Sequence, residues 1–108
     1  LSDDPLRQLA ASTQAFYDRF GVIPMPEDAI PVFEEEVREL IEAVRQGDTA
    51  THIGEEAADV IVTVLGVCFA AGLTIDDLIT QIDAVIRKND AKTSETHAVI
   101  DGKIRRKK

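Results

Sequence analysis

Hydrophobic residues recur three and four positions apart through most of this 108-residue chain, and the elements they predict are four helices followed by a tail. Leu6, Leu9, Ala10, Thr13, Phe16, Tyr17 and Phe20 line one helical face behind Asp4-Pro5. Proline suits the first helical position, where its missing N–H would have found no partner anyway. Gly21 ends this helix, and Val22 to Pro26, with two prolines, reads as an extended link. A second helix is predicted from Asp28 to Gln46, with Pro31 in its first turn and Gly47 as its stop. Asp48 or Thr51 caps a third that runs to Ala71, with Gly72 as terminator. Thr74, three residues before Asp77, has the form of a capping box and opens a fourth helix from Ile75 to about Asn89. Asp101-Gly102-Lys103 is a turn signal in the remaining tail, and no alternating pattern is long enough to announce a strand. The expected fold is therefore all-α. It is an antiparallel, four-helix bundle-like protomer forming one domain over 1–108, with a core at 28–90 and an irregular basic C-terminal tail at 91–108.

The third helix differs from the others. Val60 to Ile75 is sixteen residues without a charge, and a helix apolar on every face is expected to be buried. The run falls short of the roughly 20 apolar residues that a membrane span needs, so no membrane association is expected. A chain of this length buries only about two thirds of its unfolded surface. A homodimer or homotetramer joined through its helices would bury more, and that is the expected state. Cys68, the one cysteine, lies in the apolar run and reads as a small core residue. With no signal-peptide pattern and no disulfide framework, the expected location is cytoplasmic.

Charge sharpens the picture. Residues 1–86 hold 17 acids and four bases, a net of −13, whereas residues 87–108 hold eight bases and three acids, a net of +5. A concentrated acidic patch can hold divalent cations and then the anion that those cations attract. The basic end lacks the interleaved aromatic residues that single-stranded nucleic acid would stack on, so no stable nucleic-acid complex is expected.

The acids concentrate on two helices. At 100° per residue, Glu35, Glu36 and Glu39 share one arc of about 100° on the second helix, opposite Phe33, Val37, Leu40, Ile41 and Val44. Like charges one turn apart repel, and taken alone this arc reads equally as a solvated face. The third helix shifts the balance with Glu56 and Asp59, one turn apart on the arc that also carries Thr63, Val67 and Ala70. Acids near a helix start oppose the macrodipole, which accounts for Glu55 and Glu56 but poorly for Asp59, two turns inside. Antiparallel packing across the Gly47-Asp48 connection would bring both sets face to face. Four or five oxygen-donating side chains with no histidine or cysteine nearby select a hard cation, Mg²⁺ or in substitution Mn²⁺. A di-iron bundle would want a Glu-x-x-His pair, and neither His52 nor His97 follows a glutamate by three.

Glu35-Glu36-Val37-Arg38-Glu39, then Glu56-Ala57-Ala58-Asp59 after a further sixteen residues, resembles the EExxE…ExxD signature of the MazG-like all-α nucleoside triphosphate pyrophosphatases. That superfamily includes MazG, dimeric dUTPases and phosphoribosyl-ATP pyrophosphatase. The resemblance implies that Glu36, Glu39, Glu56 and Asp59 hold Mg²⁺ while a nucleoside triphosphate is cut between its α- and β-phosphates. It makes Glu35 the candidate for orienting or deprotonating the attacking water. Lys88, Asn89, Lys92 and Lys103 are similar to the N-x-x-K…D-G-K stretch of one branch, which meets the substrate. Simple compensation of the helix dipole is the competing explanation for Lys88. Two other readings stay open: a phosphoribosyl-ATP pyrophosphatase, and a non-catalytic helical interaction module.

Overall fold

The computed structural model describes residues 4–108 and is dominated by four helices: α1 (Pro5–Arg19), α2 (Pro26–Arg45), α3 (Ala50–Ala70) and α4 (Ile75–Asp90). The chain divides into two compact units, one up to Ile75 and the other from Asp76 to Lys108.

In the first unit, Asp4 caps α1 by accepting from the Leu6 N–H at 3.0 Å, with Pro5 at the first helical position. The start of α2 departs from expectation. It begins two residues early, at Pro26, and so carries Pro31 in its second turn and not its first. Pro26, like Pro5, fits the first helical position, and the acidic Glu27 and Asp28 that follow favour the positive end of the helix dipole. The cap of α3 is Thr49, which lies between the two expected residues. Its side chain accepts from the His52 N–H at 3.1 Å, while Asp48 Oδ1 accepts from the Thr49 N–H at 2.7 Å. Gly47, at φ 67°, makes the tight connection that lays α3 back along α2.

Helices α2 and α3 pack as an antiparallel pair, and α1 lies against α3. The contact of α1 with α3 depends on Gly66, because a Cβ there would stand 2.5 Å from the Tyr17 hydroxyl. Among the described residues the buried ones are Ala10, Thr13, Ala43, Leu65 and Gly66, all but Leu65 small. Thr13 satisfies its hydroxyl by donating to the Leu9 carbonyl at 2.8 Å. The expectation that α3 is buried all round is corrected, since Ile61 and Val64 are exposed, as are Ile41 and Val44 of α2. Cys68 is half-buried. No single helix among the described residues is long and apolar enough to cross a membrane.

The second unit corrects the tail. An antiparallel hairpin, β1 (His97–Ile100) and β2 (Lys103–Arg106), stands where an irregular segment was expected. Asp101 and Gly102 both adopt positive φ, 52° and 79°, the geometry whose twist matches paired strands. Val99 faces Ile104 and Ile100 faces Lys103 across the ladder.

Candidate metal centre

The carboxylates converge from the two partners of the antiparallel helix pair. Oxygens of Glu36 on α2 and of Glu56 and Asp59 on α3 all lie within 4.8 Å of one another. Glu36 and Glu56 are half-buried, Asp59 is exposed. Among the described residues, Glu36 Oε2 and Glu56 Oε2 are buried without any hydrogen-bond partner. A buried carboxylate oxygen without a partner is unfavourable unless something neutralises it.

Glu36 is the centre of the group. Burial raises its pKa above the ordinary 4.5, and a hydrogen-bonding contact with Glu39 and the charges of Glu39, Asp59 and Glu56 push in the same direction. Glu39 is exposed and is not one of the three convergent carboxylates, but it is close enough to act on Glu36. Glu35 is exposed on α2, next to Glu36 in the chain.

The donor set fits a hard divalent cation. Oxygens around an octahedral Mg²⁺ at about 2.1 Å stand roughly 3 to 4 Å apart, so the three carboxylates need close in only slightly. Beside the cluster, toward the start of α3, a polar cleft of about 160 Å³ is lined by Glu39, Glu42, Gln46, Asp48, His52 and Glu56. On the other side, Val32 one turn from Glu36 and Thr63 one turn from Asp59 line an apolar cleft with Tyr17 and Gly66. His52 was overlooked in the sequence as a contributor. The signal was its place one turn before Glu56 on the same helix face.

The basic candidates lie in the second unit. Lys92 Nζ donates to Asn89 Oδ1 at 3.0 Å, and both residues line an open cleft with Ser94, His97, Ala98 and Lys107. Lys88 meets Lys92, His97 and Arg106 at a neighbouring hollow. Burial and the adjoining Lys92 and Arg106 charges lower the His97 pKa, and Thr96 Oγ1 lies 2.7 Å from its Nδ1. Lys103 sits apart from both hollows, in β2 opposite Ile100. The neighbours that sequence reasoning missed here, His97, Arg106 and Lys107, become visible only once the hairpin folds β2 back beside β1.

A family model described as the MazG nucleotide pyrophosphohydrolase domain matches residues 25–98, more than half of the chain. The matched stretch contains α2, α3 and α4, and with them every carboxylate of the cluster. Comparison with curated proteins and with solved structures finds no match.

Proposed function

Starting from a chain that belongs to the MazG nucleotide pyrophosphohydrolase family, we propose that it is a Mg²⁺-dependent enzyme cutting nucleoside or deoxynucleoside triphosphates between the α- and β-phosphates. The products are the monophosphate and pyrophosphate. The observation that carries this reading is the pair of buried, unpartnered oxygens on Glu36 of α2 and Glu56 of α3, grouped with Asp59 one turn further along α3. Carboxylates held this way favour a cation over solvent, and a triphosphate is the anion that such cations would draw in.

Glu36, Glu39, Glu56 and Asp59 would hold the metal. When bound, Mg²⁺ offsets the charge of the phosphates and makes a water more acidic. Glu35, exposed beside this cluster, takes the proton of the attacking water. The water oxygen bonds to the α-phosphorus, the bond from that phosphorus to the bridging oxygen breaks, and pyrophosphate leaves with the electron pair. Lys92 and Lys88, with Asn89, attract the triphosphate, a role that needs positive charge but no fixed geometry. Lys103 has the weakest support, because it stands apart from the other three.

The same reading has two copies or more associating through their helices. It is supported by apolar side chains left in water on the single chain: Ile23 is 80% exposed and Phe20 68%, with Ile41, Val44, Ile61 and Val64 also uncovered. Sedimentation would show a dimer or tetramer, and a monomer at micromolar concentration would contradict it.

The test of activity is turnover by the purified protein with Mg²⁺ against canonical and modified triphosphates, with pyrophosphate and orthophosphate read separately. Pyrophosphate with the nucleoside monophosphate, and no orthophosphate, is expected. Orthophosphate release, or no release from any substrate, would overturn the proposal.

A further inference from the structure

His52 is the residue outside the expected set that the geometry ties most closely to the cluster. Its Nε2 stands 3.5 Å from Glu56 Oε1 and 3.6 Å from Asp48 Oδ2. The backbone that carries the ring is anchored as well. Asp48 accepts from the Thr49 N–H, and Thr49 in turn accepts from the backbone N–H of His52 itself. Asp48, His52 and Glu56 therefore form a ladder, one turn apart, that rises from the cap of α3 to the edge of the metal centre.

Glu56 is divided between two environments. Oε1 faces the imidazole, and Oε2 is buried without a partner beside Glu36 and Asp59. A glutamate has enough torsional freedom to swing a carboxylate out of such a repulsive group, and here solvent is close, since His52 and Asp48 are themselves part-exposed. A contact that holds Oε1 restricts that escape and leaves Oε2 aimed inward.

We propose that His52 is a positioning residue, whose Nε2–H holds Glu56 so that its free oxygen is presented to the cation. The inference rests on the metal-centre reading above but not on the nature of the substrate. A group that orients a metal ligand typically changes affinity by about 10- to 100-fold when removed. For a half-exposed imidazole at ion-pair distance the lower end applies, about tenfold. Removing a group that carries positive charge when protonated would act in the opposite direction, toward tighter cation binding, so loss of affinity separates positioning from simple charge.

The test uses Mn²⁺ alone as the probe, with binding read from the free-ion electron paramagnetic resonance signal, on the full chain and without nucleotide. His52→Ala is expected to weaken Mn²⁺ binding about tenfold with helicity by circular dichroism unchanged. His52→Gln keeps a nitrogen donor near the Nε2 position and is expected to recover most of the loss. In turnover, His52→Ala should raise the Mg²⁺ concentration needed for half-maximal rate while leaving the rate at saturating Mg²⁺ within about twofold, the split expected of a group that acts on ligand geometry alone. Unchanged or tighter Mn²⁺ binding by folded His52→Ala, or a Gln variant as weak as the Ala variant, would overturn the proposal. If His52→Ala does not fold, His52→Gln decides against a variant that cannot donate, His52→Leu. Absence of Mn²⁺ binding by the unaltered protein would overturn the metal centre and this inference together. Mn²⁺ binding without turnover of any triphosphate would overturn the substrate assignment and leave His52 in place.

Discussion

The acidic cluster and the basic cleft are both groups of like charge, yet the chain treats them in opposite ways. On α2 and α3 the carboxylates are drawn together, half-buried, with two oxygens denied any partner. In the second unit the lysines and arginines stay at the surface, and Lys92 makes a local contact with Asn89. Exposed charges are screened and cost little, whereas buried like charges repel strongly. The difference separates carboxylates that could hold a counter-ion from charges left at the surface.

If that comparison is right, the largest effects belong to the cluster. Asp59→Ala or Glu39→Ala should lower turnover by about a thousandfold or more, since several kcal/mol of charge stabilisation goes with the cation. Circular dichroism should show the helices intact, and a Glu39→Ala enzyme with undiminished rate would break the metal-site account.

A smaller effect of opposite sign is expected for stability. The raised pKa of Glu36 means that its protonated form is favoured by folding. Its contribution is fully present below the ordinary carboxyl value of 4.5 and is lost as pH rises through the higher folded value. In chelator, the unaltered protein should therefore lose part of its stability as pH rises above 4.5, and Glu36→Gln should lose less. At neutral pH in chelator, Glu36→Gln should melt higher than the unaltered protein. Added Mg²⁺ should reverse the order by stabilising only the unaltered protein. A melting curve for Glu36→Gln that matches the parent at every pH would remove the strain from the account.

The smallest effect sits in the basic cleft. Lys92→Ala should raise KM about fivefold, roughly 1 kcal/mol, with kcat little changed. Added salt should shrink the difference further. A loss of kcat as large as that of Asp59→Ala would place Lys92 at the reacting phosphate and erase the contrast between the regions.

The helices were legible because each is marked locally. Asp4-Pro5 opens α1, and Gly21, Gly47 and Gly72 follow the ends of α1, α2 and α3. The choice of Thr49 over Asp48 as the cap of α3 was not legible, because both are good caps and only the turn geometry at Gly47 decides between them. The hairpin was missed for a similar reason. Four-residue strands carry too little alternation to show, and a turn signal in a charged tail does not reveal that the chain on either side pairs. Helical periodicity placed Glu36, Glu39, Glu56 and Asp59 on facing arcs. It did not rank them, because the rank of Glu36 comes from burial between two helices. The same periodicity marked Ile41, Val44, Ile61 and Val64 as apolar without indicating what covers them.

The most direct test of the central claim is hydrolysis of the preferred triphosphate in ¹⁸O-labelled water with Mg²⁺, followed by mass analysis of both products. Attack at the α-phosphorus under the carboxylate cluster predicts the label in the nucleoside monophosphate and none in pyrophosphate. Label in pyrophosphate or in free orthophosphate would contradict it.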